Sequence, residues 1–234
     1  MKENIWSKYN DDDIMTLNEI CDEYRNFISK SKIEREVVKN SIKMAESVGF
    51  VNLNKYIENN IKLTSGDKVY INNRNKSIGL FVIGKEDITK GINILGAHVD
   101  SPRLDLKASP LYEDTDMAYL DTHYYGGIKK YQWVTLPLAL HGVVVKKNGD
   151  VVNVVIGEEE SDPVVGITDL LPHLGQEQMK KEASKVIEGE KLDVLIGSMP
   201  IKNNSKEEKD LIKKNILNIL KNKYKCLQII PKSK

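Results

Sequence analysis

Along the first fifty positions hydrophobic residues recur with the period of an amphipathic helix. From Ile14, the residues Leu17, Ile20, Cys21, Tyr24, Phe27 and Ile28 fall on one face behind the run Asn10-Asp11-Asp12-Asp13, whose charges suit a helix N-terminus. A helix is predicted over 13–30. Ser31 and Glu34 have capping-box spacing, so a second helix is predicted from Ser31, with Val37, Val38, Ile42, Ala45 and Val48 on its apolar face and Gly49 as its stop. A short helix around 53–60 follows.

The period then changes. KVYINN, SIGLFVIG and INILGAHVD are short, rich in β-branched and aromatic residues, and separated by turn-like NRNK and KEDITKG, which predicts neighbouring strands. Residues 92–97 are apolar almost throughout, the pattern of a central strand covered on both faces. Downstream, HGVVVKK and DVVNVVIG flank Asn148-Gly149, the pair a type I′ turn prefers, and predict a hairpin in a β-rich module. A helix is predicted near 175–187. A further capping box, Ser205 to Glu208, opens a helix through Leu211, Ile212, Ile216, Leu217 and Leu220. No internal repeat is evident.

Composition narrows the class. With 234 residues, 40% of them hydrophobic, the chain can bury a proper core. Thirty-five Lys and Arg against 34 Asp and Glu leave no global bias toward nucleic acid or membrane, and neither partner is expected. Cys21 and Cys226 lie far apart without CxxC spacing, which fits reduced thiols and excludes a cysteine zinc site. MKENIWSKYNDDD lacks an apolar signal core and no run of 18 apolar residues occurs, so a cytoplasmic location is expected. From Lys202 onward ten Lys face three acidic residues; without interleaved aromatics this reads as a solvated amphipathic helix and a tail.

The stretch ILGAHVDSPRLDLK, residues 94–107, carries the chemistry. Side chains two apart on a strand point the same way, so His98 and Asp100 share a face if the strand persists to them. A metal-binding imidazole needs its orientation fixed, and a carboxylate that accepts its other N–H does this. The alternative is a hydrogen-bonded strand-end histidine beside an ordinary Asx-Pro turn.

The string GAHVDSPRLDLK, followed by YLDTHYYGGIKKYQWVTLPLALHGVVVKKNG, resembles the aspartyl-aminopeptidase family of zinc metallopeptidases. The resemblance covers roughly residues 1–200. Its specific parts are the H-x-D-S-P stretch, the Tyr125-Gly126-Gly127 loop, Trp133 and the Pro-Leu-Ala-Leu-His-Gly lead-in to the hairpin. It implies an α/β fold: residues 1–105 as the first part of a metallopeptidase sheet domain and 106–200 as an inserted β-rich lid and oligomerisation domain; residues 201–234 lie beyond the resemblance and read as a basic helix and tail. It further implies a two-zinc site with His98 as a ligand to one metal and Asp100 as the catalytic-site aspartate holding its imidazole. His173, in DLLPHLGQ, resembles an insert-domain histidine that reaches the substrate in a neighbouring subunit; the alternative is a loop histidine capping the helix that follows. His123 and His141 fit sheet or interface packing, and Tyr124, Tyr125 and Trp133 fit core or interface aromatics.

The implied reaction is zinc-dependent removal of an N-terminal residue, acidic residues being one candidate preference, from a peptide by a homo-oligomer. A two-metal hydrolase also needs a bridging carboxylate, further ligands and a general base. In the family these come from the second half of the peptidase domain: an Asp, a Glu-Glu pair, a further Asp and a second His. After His173 this sequence has no histidine. A truncated, inactive form is therefore expected, with a non-catalytic oligomerisation module or one chain of a split enzyme as alternatives.

Overall fold

The computed structural model describes residues 3–146, 148–202 and 209–224. The chain forms two compact units, Met1–Ser101 and Pro102–Lys234.

In the first unit, α1 spans Asp11–Ser29, and its N-terminus is closed by a reciprocal capping box between Asn10 and Asp13. Helix α2 begins at Glu34 rather than Ser31, and its N-cap, Ile33, makes no side-chain cap bond. Ser31 is instead buried, and its hydroxyl accepts from the Asn40 side chain at 2.9 Å. Tertiary packing has claimed the residue that local spacing assigned to the cap. Helix α2 ends at Ser47 in a Schellman motif: Gly49 donates to Glu46 O at 3.1 Å and Phe50 to Ala45 O at 3.0 Å.

The short strand β1 (Val51–Asn52) and helix α3 (Leu53–Glu58) lead to the hairpin of β2 (Lys68–Asn73) and β3 (Ser77–Val82). Strand β1 pairs parallel to β2, and β3 lies antiparallel at the sheet edge. Val38, Ala45, Val69 and Tyr70 form the buried centre, and the Tyr70 hydroxyl donates to Glu46 at 2.8 Å.

The central strand expected at 92–97 is absent: these residues are neither strand nor helix. Ile92, Ile94 and Leu95 are exposed, Leu95 completely. A fully apolar strand exists only when neighbours pair both edges and cover both faces, and the sheet of this unit contains β1, β2 and β3 alone among the described residues.

The second unit is built on a five-stranded antiparallel sheet. Strand β4 (Arg103–Asp114) and β5 (Met117–Tyr125) form a long hairpin; β6 (Pro137–Leu138), β7 (Leu140–Val145), β8 (Val151–Ile156) and β9 (Val165–Gly166) follow, then the single-turn α4 (Gln176–Met179), β10 (Val194–Gly197) and α5 (Leu211–Tyr224). The sheet order is β4-β5-β10-β9-β6, and β7 and β8 make a separate ribbon. Leu106 lies opposite Thr122 and Leu111 opposite Leu120, so Lys107 to Pro110 bulge out against Asp121 alone. Pro110 has no N–H for a ladder, and a bulge accommodates it.

The β7–β8 hairpin forms as predicted, with a different turn. Lys146 N–H donates to Asp150 O at 2.8 Å and Gly149 N–H to Lys146 O at 2.9 Å, with Gly149 at φ +89°. This is a three-residue loop closed by a glycine bulge. Turns with two consecutive positive-φ residues occur elsewhere, at Arg74-Asn75 and Thr115-Asp116.

The helix expected over 175–187 shrinks to α4, and the capping box Ser205 to Glu208 lies outside the described residues. Helix α5 is not a solvated helix: Ile212 is buried in the cluster of Leu111, Ala118, Leu120, Leu192 and Val194, and Ile216, Leu217 and Leu220 pack against it. Under the same sheet, the Tyr112 hydroxyl donates to Asp193 at 2.7 Å and the Thr122 hydroxyl to Leu192 O at 2.6 Å. Burial, with the Asp193 carboxylate beside it, pushes the Tyr112 hydroxyl pKa up. No helix among the described residues is long and apolar enough to cross a membrane.

Candidate metal centre

His98 and Asp100 meet without the help of a strand. The segment is irregular, and the contact runs from the His98 ring to the residue two positions on: Nδ1 lies 2.8 Å from the Asp100 main-chain oxygen and 3.4 Å from its carboxylate Oδ1. Oxygen acceptors therefore engage Nδ1 and turn Nε2 outward, the arrangement in which a neutral imidazole offers a metal its lone pair. The His98 side chain is 83% exposed. The donor set thus fits one zinc ligand, since zinc takes histidine nitrogen readily. Among the described residues no group of three or more His, Cys, Asp or Glu side chains is arranged to hold a metal ion. Sequence spacing pointed to both residues but carried no signal for the main-chain acceptor.

His173 occupies the exposed turn before α4. It does not cap that helix, whose N-cap is Gly175 without a side-chain bond. Leu170, Leu171 and Leu174 around it are exposed as well. The other two histidines have carboxylate partners in their own unit. His141 Nε2 lies 2.8 Å from Glu158, and His123 Nδ1 lies 2.9 Å from Glu190 while its ring stacks on Tyr124. Glu190 also meets Lys107 at 3.2 Å, and Lys107 meets Asp121 at 2.8 Å. Lys107, and to a smaller extent His123, hold the Glu190 carboxyl below its ordinary range. Trp133 packs against the core, and the Arg103 guanidinium sits 4.1 Å from the centre of the Tyr125 ring.

The sequence profile of the aminopeptidase I zinc metalloprotease (M18) family matches residues 27–230. A relative from Clostridium acetobutylicum, described as a probable M18 family aminopeptidase 1, is 57% identical over 221 residues, covering 94% of this chain and 47% of the relative. The crystal structure of an M18 family aminopeptidase from Thermotoga maritima superposes with a TM-score of 0.85 at 39% identity, covering 97% of this chain and 47% of that one. The S. cerevisiae mApe1 dodecamer shares the fold at 18% identity, with a TM-score of 0.59 over 90% of this chain and 45% of that one. The chain spans about half the length of the curated relatives it matches.

Proposed function

The chain belongs to the aminopeptidase I zinc metalloprotease (M18) family, and from that premise we propose that His98 is one ligand of a zinc site that removes N-terminal residues from peptides. The observation that carries this reading is the His98 Nδ1 contact with Asp100, which turns Nε2 outward. A zinc ion held there would supply Lewis acidity for activating a water and a peptide carbonyl. His98 would hold the metal through Nε2, and Asp100 would be the residue that orients the ring. We assign the remaining ligands, up to the two-zinc set that the resemblance implies, to sequence that the relatives carry beyond the matched half. The 234 residues alone are then inactive, because selective zinc binding needs several ligands in fixed geometry.

In the same reading, residues 106–200 act as the lid and oligomerisation domain of a homo-oligomer. His173, set among exposed leucines, reaches the substrate bound in a neighbouring copy. The apolar turn supports this, since burying Leu170, Leu171 and Leu174 against a partner removes surface that water disfavours. An acidic N-terminal residue is the proposed substrate preference.

A chimera in which these residues replace the corresponding half of the Clostridium acetobutylicum relative tests the proposal. Zinc-dependent release of N-terminal residues from a peptide panel is expected, with a loss of at least about 100-fold in His98→Ala. A chimera that folds and keeps full zinc content and turnover after His98→Ala overturns the ligand assignment.

A further inference from the structure

We infer that Asn148 is a latent deamidation site, converted to aspartate and isoaspartate through a succinimide when the β7–β8 loop opens, and that Asp150 is the residue that holds it shut. The inference does not depend on the zinc reading.

Asn148 and Gly149 are both exposed in the loop. The only co-reactant is water. The Gly149 nitrogen gives up its proton to solvent base and bonds to the side-chain carbonyl carbon of Asn148; the bond from that carbon to Nδ2 breaks, and ammonia leaves. Water then opens the cyclic imide at one carbonyl to give aspartate, or at the other to give isoaspartate, whose main chain runs through the former side chain. Glycine after the asparagine favours ring closure, because it has no Cβ to crowd the approach and turns freely.

The folded loop opposes each part of this step. The Gly149 N–H, the future nucleophile, donates to Lys146 O at 2.9 Å and so keeps its proton aimed at an acceptor. Asn148 is held on the residue beyond the glycine: its Nδ2 donates to Asp150 Oδ2 at 2.8 Å, and its Oδ1 accepts the Asp150 N–H at 3.2 Å. The Asp150 N–H also draws charge from the amide carbonyl, which by itself favours attack. That contact is the longer of the two, and a polarised carbonyl gains nothing while the nucleophile is engaged elsewhere. The contact to the carboxylate is charge-assisted and is the stronger restraint. Reaction therefore waits for local opening of the loop.

The products cannot refasten it. Isoaspartate lengthens the main chain between Lys146 and Asp150, whose closing bond from Lys146 N–H to Asp150 O is 2.8 Å in the folded loop. Aspartate places a second carboxylate against that of Asp150 and removes the amide donor. An opening that lasts long enough to react is thus made permanent.

The test follows deamidation of the full chain in mildly alkaline buffer, with and without urea, by mass spectrometry of the fragment that carries Asn148 and chromatographic separation of its aspartyl and isoaspartyl forms. Wild type is expected to react at least about tenfold more slowly folded than in urea. Folded Asp150→Ala should react about fivefold faster than folded wild type, the factor that one net hydrogen bond supplies. In urea the two should match, which separates the clamp from any effect on the chemistry itself. Asp150→Asn, which keeps a side-chain oxygen for Nδ2, should stay slow, and an unchanged circular dichroism spectrum shows that both variants fold. No reaction in urea would remove the site, and equal wild-type rates with and without urea would remove the protection. An Asp150→Ala rate that matches folded wild type would overturn the role of Asp150.

Discussion

Glu113, near the end of β4, accepts the backbone N–H of Ile212 at 3.0 Å and also that of Lys213 at 2.9 Å, so a strand residue caps a helix about a hundred positions away. The first turn of a helix leaves its N–H groups without intrahelical partners, and a carboxylate there also meets the positive end of the helix dipole. Glu113→Ala is expected to cost about 1 kcal/mol, the scale of a lost N-cap, and to lower the urea midpoint of unfolding. An unchanged midpoint would mean that the Ile212 and Ile216 contacts alone hold α5.

At the other end of α5, Lys223 pairs with Asp162, and Tyr224 donates to Val155 O at 2.7 Å. The Lys223 ammonium, then the Gly157 N–H, pull the Asp162 carboxyl from an ordinary 3.8 down to about 2. A carboxyl depressed in the folded state contributes stability that is present above its unfolded pKa and lost as pH falls through the folded one. Wild-type stability should therefore decline between about pH 4 and about pH 2 more steeply than that of Asp162→Asn. Thermal midpoints across that window check this; parallel curves would contradict it.

Two glycines separate backbone strain from steric clash. Gly149 and Gly157 both take positive φ, +89° and +100°, but a Cβ on Gly149 would meet nothing within 4 Å, whereas one on Gly157 would lie 2.8 Å from Leu138 O and 3.2 Å from Ala139 Cα. Gly149→Ala is expected to cost about 1 kcal/mol from φ alone, and Gly157→Ala clearly more. Equal losses in chemical denaturation would show that the loop after β8 yields freely.

Leu95 offers a test of the irregular segment at 92–97. Being wholly exposed, it should accept Leu95→Lys in the isolated chain with a change within about 0.5 kcal/mol. In the chimera, where strands of the relative would pair with the segment and cover it, the same substitution would bury an unpaired charge and should abolish soluble folding. Equal tolerance in both settings would remove the case for a covered strand.

Much of the first unit was legible because its signals are local. The acidic run marked a helix N-terminus, which Asn10 and Asp13 close, Gly49 ends α2, and the β-branched and aromatic runs KVYINN and SIGLFV produce β2 and β3. Ser31 was misread because a buried hydroxyl bonded to Asn40 outcompetes a cap that spacing alone favours. Asn148-Gly149 marked the right hairpin and the wrong turn type, while Arg74-Asn75 and Thr115-Asp116 adopt the paired positive-φ conformation without glycine. Neither residues 92–97 nor the approach of His98 to the Asp100 carbonyl could be read from the chain. The first depends on ladder partners, and the second on a backbone atom that every residue carries.

The bulge at Lys107 to Pro110 divides the β4–β5 hairpin into two arms that need not open together. The arm with Leu111, Ala118 and Leu120 is sealed in the core, while the arm from Arg103 to Leu106 faces Thr122 to Tyr125 with Asp105, Leu106, His123 and Tyr125 exposed. Amide protons of the first should exchange with solvent deuterium only on wide unfolding, and those of the second through local opening. The hairpin would then behave as a hinge leaf with one fixed and one breathing half. The breathing half is the one whose first residue, Arg103, follows Pro102, so the slack in this strand is placed at the end where the His98 segment joins it.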